Sequence, residues 1–226
     1  NRLIFDEILS TFLINSKIRK NIKKYKKINK KFNESSFNYI KNKINFDLTP
    51  DQLKAINQIN ADLKSNQKMF RLLQGDVGSG KTIVALVASI NVVTSGFQVS
   101  FMAPTEILAK QHFNLAKKLF DKDINIKILT SKTEHKERKE ILKDLNNNKI
   151  NILIGTHSLF QEKIKYKNLG LIIIDEQHKF GVKQRKKLSD KGGKNCDILV
   201  MSATPIPRTM IMTIFGDMDT SIIKNK

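Results

Sequence analysis

The chain has 226 residues, room for one large domain or one domain with a short attached segment. Its 41 Lys and Arg against 21 Asp and Glu give a net charge of +20, which favours a polyanionic partner, although abundant Lys, Asn and Ile also fit a compositionally biased genome. One cysteine, Cys196, excludes an internal disulfide and suits a reducing, cytoplasmic setting, and neither a signal peptide nor a membrane-length apolar run is found.

The first elements read as an attachment. Leu3, Ile4, Phe5, Ile8, Leu9, Phe12 and Leu13 fall at helical spacing on one face. Residues 17–31 then carry nine Lys and Arg without an acid, a run that must meet solvent, nucleic-acid phosphate or a membrane surface. Residues 32–47 are polar and weakly patterned. This divides the chain into a basic helical linker, 1–45, and a domain, 46–226. The chain begins Asn-Arg without Met, as expected of a piece of a longer protein.

The domain opens with Thr49 as a helix cap, Pro50 in the first turn, and a helix to about Leu63 whose buried stripe is Leu53, Ile56, Ile59 and Leu63. A hydrophobic strand, Phe70 to Leu73, leads into Gly75-Asp76-Val77-Gly78-Ser79-Gly80-Lys81-Thr82, and an apolar helix, Ile83 to Val93, leads out. Strand, glycine-rich turn and helix are the context of a phosphate-binding loop. Without side chains at Gly75, Gly78 and Gly80, backbone N–H groups can wrap anionic oxygens. Lys81 can reach the β- and γ-phosphates of ATP, and the Thr82 hydroxyl can ligate Mg2+.

Further strands are predicted at Gln98–Ala103, Ile126–Leu129, Ile152–Ile154, Leu171–Ile174 and Ile198–Met201, with helices near 104–120 and 132–145. Continuously hydrophobic strands alternating with helices imply a mostly parallel sheet covered on both faces. Ligands of such sheets sit beyond the carboxyl ends of the strands. The P-loop, Asp175-Glu176 and Ser202-Ala203-Thr204 all follow strand ends and are expected to converge there.

Asp175 is placed to hold Mg2+, and Glu176 to orient and deprotonate the attacking water. His178, with Ser202 and Thr204, suits a hydrogen-bonding relay between the phosphate end and a nucleic-acid face. The histidines lack ligand spacing for zinc. Gln52 carries a donor and an acceptor for an adenine edge, and Phe46 can stack on the ring.

These motifs resemble the superfamily 2 helicases, and within them the RecG family of bacterial DNA helicases. Leu72-Leu73-Gln74 with the P-loop looks like the first motif, Ala103 to Ala109 with Gln111-His112 like motif Ia, and Gly155 to Leu159 like motif Ib. Asp175-Glu176-Gln177-His178 is similar to motif II and continues as Lys179 to Arg185, a RecG-like phrase. Met201 to Thr209 resembles motif III, and Gly216-Asp217-Met218-Asp219 fits the same pattern. The transcription-repair coupling factor shares much of this set.

The resemblance implies an α/β, RecA-like P-loop NTPase domain using ATP and Mg2+. It further implies a monomeric translocase on double-stranded and branched DNA, with a wedge domain and a second RecA-like domain completing the protein. Phe46, Gln52, Gly75, Asp76, Gly78, Ser79, Gly80, Lys81 and Thr82 would hold the nucleotide, and Lys81, Asp175 and Glu176 would act in catalysis. Thr105, Glu106, Thr156, His157, His178, Gln184, Arg185, Ser202 and Thr204 would face DNA or couple to it. Without the second domain's arginines, the chain alone is expected to bind ATP and hydrolyse it weakly. Ser131 stands where the family pattern has Gly. Two other readings are a non-catalytic basic nucleic-acid module with a vestigial P-loop and a transporter-type ATPase. The lack of a transporter signature between the P-loop and Asp175 counts against the latter.

Overall fold

Thr49 starts the first helix, α1 (Pro50–Lys64), with a reciprocal cap: its Oγ1 accepts from Gln52 N at 3.3 Å, and Gln52 Oε1 accepts from Thr49 N at 2.9 Å. Then follow β1 (Phe70–Gly75), α2 (Lys81–Thr94), β2 (Gln98–Met102), α3 (Glu106–Leu119), β3 (Ile126–Leu129), α4 (His135–Asn146), β4 (Ile152–Gly155), β5 (Leu169–Ile174), β6 (Asp197–Ser202) and β7 (Asp219–Ile223). The computed structural model describes residues 27–33, 40–44, 46–161, 163–175, 193–203 and 218–224. The expected N-terminal helix at residues 1–16 lies outside them.

All seven strands pair in parallel, in the order β3-β4-β2-β5-β6-β1-β7. Although the strands read as continuous apolar runs, their side chains alternate between two cores. Leu73, Phe101, Ile173, Leu199 and Met201 pack with α1, α2 and α3, while Leu72, Met102, Ile172, Ile174, Ile198 and Val200 pack with α4 and the loops beside it. Covered on both faces, the strands have no polar side to present, which is why the sequence shows no period of two. Among the described residues, no helix is long and apolar enough to cross a membrane.

Three features differ from the sequence expectation. Leu53 is 38% exposed, and Gln52 and Ala55 are buried instead. The face of α1 is turned so that Gln52 meets the P-loop. Next, β7 was not expected: its Asp-Thr-Ser-Ile-Ile buries only alternate residues, as an edge strand does. It pairs with β1 and is stitched to α1, because Ser221 Oγ donates to Gln58 Oε1 at 2.5 Å and Lys224 N donates to Asp51 Oδ2 at 2.9 Å. Arg71 joins the seam, donating from Nε to Asp62 at 2.7 Å and from Nη1 to Ser221 Oγ at 3.0 Å.

The third concerns the basic run. Lys27 and Lys30 meet neither solvent nor a phosphate surface; both side chains are fully buried on the carboxylate of Asp197, at the amino end of β6. Lys27 Nζ donates to Asp197 at 2.7 Å and Lys30 Nζ at 2.6 Å, and Met69 N donates to the same carboxylate at 2.7 Å. Lys30 also lies over the Phe97 ring at 5.1 Å. Ile40 is fully buried in the α1–α2–α3 core. Parts of the region 27–44 therefore pack on the domain, beneath the sheet edge opposite the P-loop.

Candidate functional site

The P-loop joins β1 to α2. Gly78 and Gly80 take φ values of 83° and 84°, and Ser79 N donates to Asp76 O at 3.1 Å to close the turn. Lys81 is buried and its ammonium donates to the carbonyls of Gly75 at 2.6 Å and Asp76 at 2.8 Å. Whereas α1 and α3 begin at threonine caps, α2 begins at Gly80, which has no side chain to offer its first-turn amides. That end suits an anion. The Ser79 hydroxyl is buried without a hydrogen-bond partner among the described residues, a donor ready for a phosphate oxygen. These groups fit a nucleoside triphosphate.

Gln52 is buried against this loop, its Nε2 donating to Ser79 O at 2.8 Å while its Oε1 stays in the cap of α1. The amide expected at an adenine edge is thus engaged at both ends, its Nε2 by the P-loop and its Oε1 by the cap of α1. Phe46 is 53% exposed. Gly80 has no alternative here: a Cβ on it would fall 2.3 Å from Gln52 Nε2, at a φ that favours glycine. Gly80→Ala is expected to weaken ATP binding about tenfold and to cost about 1–2 kcal/mol of stability. Titration with a fluorescent ATP analogue and a urea melt check both.

Strand order sets out the rest of the edge. Ser202, buried and paired with Gln74, ends β6 beside the P-loop strand. Asp175 follows β5, two strands from the P-loop strand, or about 10 Å at ordinary strand spacing. Several of the residues expected to face nucleic acid, and the Thr130-Ser131 pair, follow the other strands. Thr105 and Glu106 come after β2, Thr156 and the short 3-10 turn His157–Phe160 after β4, and Thr130-Ser131 after β3. Along the edge, then, the P-loop follows β1, Ser202 ends β6 and Asp175 follows β5, with Thr105, Glu106 and Thr156 beyond them after β2 and β4.

Thr105 Oγ1 caps α3 by accepting from Leu108 N at 3.3 Å. Glu106 reaches across to Ser131, whose Oγ donates to Oε1 at 2.5 Å and whose N donates at 3.2 Å, with Lys132 Nζ at 3.7 Å from the other oxygen. The Ser131 hydroxyl, above all, holds the half-buried Glu106 carboxyl below the usual carboxylate range. The departure from glycine thus has a use. Glu176, His178, Gln184, Arg185 and Thr204 lie outside the described residues, as do most of the stretches after Asp175 and Ala203.

One contact was not anticipated. His112 Nε2 donates to Asp175 Oδ2 at 2.7 Å, both side chains being largely buried. The expected relay through His178 is not among the described residues; His112 reaches Asp175 from α3 instead. A signal was present: His112 shares the buried stripe of α3 with Ala109, Ala116 and Leu119, an ionisable group where the period asks for an apolar one.

A parallel sheet with a P-loop after β1 and an acid after β5 defines a RecA-like nucleotide-binding domain. The DEAD/DEAH box helicase family model matches residues 49–213, and the chain belongs to that family, which implies the use of ATP. It is 50% identical over 192 residues to the ATP-dependent DNA helicase RecG of Bacillus subtilis, covering 84% of this chain and 28% of that protein. It is 47% identical over 224 residues to RecG of Aquifex aeolicus, covering 98% and 28%. This chain thus spans little more than a quarter of the length of the curated relatives it matches. Among solved structures it is similar to RecG bound to a three-way DNA junction, with a TM-score of 0.87 and 41% identity over all of this chain and 30% of that one. A DEAD box protein from Methanococcus jannaschii shares the fold, with a TM-score of 0.63 and 24% identity over 86% of this chain and 54% of that one.

Proposed function

We propose that this chain is the first motor domain of a RecG-type ATP-dependent DNA translocase that remodels branched DNA, such as stalled forks and Holliday junctions. The observation that carries the reading is the sheet edge, with ATP motifs and nucleic-acid motifs side by side on one rigid sheet. The resemblance to RecG on a DNA junction supports the choice of substrate.

In this reading Lys81, the Ser79 hydroxyl and the first amides of α2 bind the phosphates. Gln52 holds the P-loop in shape and Phe46 stacks on the adenine. Thr82 and Asp175 hold Mg2+, which when bound neutralises charge on the phosphates. Glu176 takes the proton of the attacking water. Thr105, Glu106, Thr156 and His157 face DNA, with Gln184, Arg185, Ser202 and Thr204 joining that face to the ATP site. A wedge domain and a second RecA-like domain, elsewhere in the protein, supply the splitting element and the transition-state arginines. The protein acts as a monomer in the cytoplasm.

The test is linkage. A fluorescent ATP analogue with Mg2+ is titrated into the 226-residue chain, with and without three-way junction DNA. Expected are measurable binding of each, a steep loss of junction affinity with salt, and a shift in nucleotide affinity when DNA is present. Nucleotide binding that ignores the DNA at every salt concentration overturns the reading.

A further inference from the structure

Asp175 follows β5, yet the contact that orients it comes from α3. His112 stands at the end of the second turn of α3, on the buried stripe between Ala109 and Ala116. Besides its bond to Asp175 Oδ2, its ring stacks on Phe101, with centroids 4.8 Å apart and planes 29° apart. Phe101 belongs to β2 and is registered against Ile173 of β5. The imidazole is therefore clamped on one side by β2 and bonded on the other to the acid that ends β5. Asp175 N donates to Met102 O at 2.8 Å, so the backbone is tied down as well. Asp175 Oδ1 has no hydrogen-bond partner among the described residues, leaving one oxygen oriented for other work.

The same helix has its first turn further along the edge. Glu106 opens α3 and holds Ser131 and Lys132 of the loop after β3. From Glu106 to His112 is about 9 Å along a continuous helix. The small residues Ala109 and Ala116 are fully buried and let α3 lie close on the sheet. Such a helix moves as a unit, and a hydrogen bond of this length weakens steeply when its ends shift or tilt.

We infer that His112 is a positioning residue that transmits the seating of α3 on nucleic acid to the orientation of Asp175. This rests on the proposed DNA-facing role of Thr105 and Glu106. DNA drawn onto the rim around Glu106 and Ser131 resets α3. His112 carries that displacement to the carboxylate, and the affinity for Mg2+ and nucleotide follows. By linkage, the nucleotide changes the affinity for DNA by the same factor.

The experiment measures that factor, the ratio of apparent dissociation constants for the Mg2+-loaded fluorescent ATP analogue with and without three-way junction DNA. It compares the unaltered chain with His112→Phe, which keeps a ring to stack on Phe101 but cannot donate, and His112→Gln, whose amide restores a donor. Thermal melts establish that each variant is folded. Coupled sites commonly show roughly 5- to 150-fold. The expected result is a factor near 1 for His112→Phe and recovery of most of it in His112→Gln, a pattern that mere packing would reverse. A folded His112→Phe that keeps the full factor, or a His112→Gln no better than His112→Phe, overturns this inference alone. An unaltered chain without any DNA-dependent factor overturns the motor reading, and the inference with it.

Discussion

Asp197→Ala lowers the unfolding free energy by about 3–5 kcal/mol, the range for a buried ion pair that loses one partner. The carboxylate accepts from Lys27, Lys30 and Met69 N and is itself fully buried. Removing it leaves two buried ammonium groups and an orphaned amide. A buried lysine can shed its proton instead, at about 1.4 kcal/mol per pH unit below its usual pKa, so roughly 5 kcal/mol at pH 7 is a ceiling for each lysine. In a chain of this size the loss corresponds to roughly 10 °C in melting temperature. Urea and thermal unfolding measure it, and a loss under about 1 kcal/mol would show that Lys27 and Lys30 are not seated on Asp197.

The two lysines are not equivalent partners in this expectation. Burial pushes the Lys27 ammonium below its ordinary pKa of 10.5, against the pull of Asp197. Between that lowered pKa and 10.5 the unfolded chain holds more protons than the folded one, so this group makes stability rise with pH across that window. Lys27→Met leaves Lys30 to neutralise Asp197 and is expected to cost no more than about 1 kcal/mol. The contrast between the two variants separates the ion pair from general packing.

Lys81→Ala has the largest expected effect on function. Its ammonium is held by the carbonyls of Gly75 and Asp76 at the start of α2, where the triphosphate would lie. Hydrogen bonds to a charged group contribute about 1.5–3 kcal/mol each, so losing one to phosphate weakens ATP binding by roughly 10- to 150-fold. Two lost together take binding below ordinary detection. Calorimetric titration with ATP and Mg2+ reads the change. Unchanged affinity in a variant with an unchanged melting temperature would mean that this loop does not hold the nucleotide.

Much of this site is legible in the order of the residues. The P-loop is a run of eight residues whose types follow from what phosphate requires, and Asp175 sits directly behind the four-residue apolar run Leu171 to Ile174. The cap at Thr49 and the helix starts at Lys81 and Glu106 follow from local residue types in the same way. Gln52 can be read for its hydrogen-bonding capacity, but no local pattern says that Ser79 O and Thr49 N take both ends of its amide. For β7, a polar-apolar mixture at a sheet edge gives a weak signal, and its pairing with β1 is remote in sequence.

Runs of a few consecutive residues are enough to specify a doubly covered parallel sheet with a phosphate loop and an acid at strand ends, because each of those features is local. The order of the strands is not local. It arises when the chain packs, and with it comes the order in which the P-loop, Ser202, Asp175, Thr105 and Thr156 follow one another along the edge. Packing likewise joins His112 to Asp175 across 63 residues, and Lys27 to Asp197 across 170. Such pairs have no spacing to read, because their geometry is set by which strands lie side by side and which helix covers them.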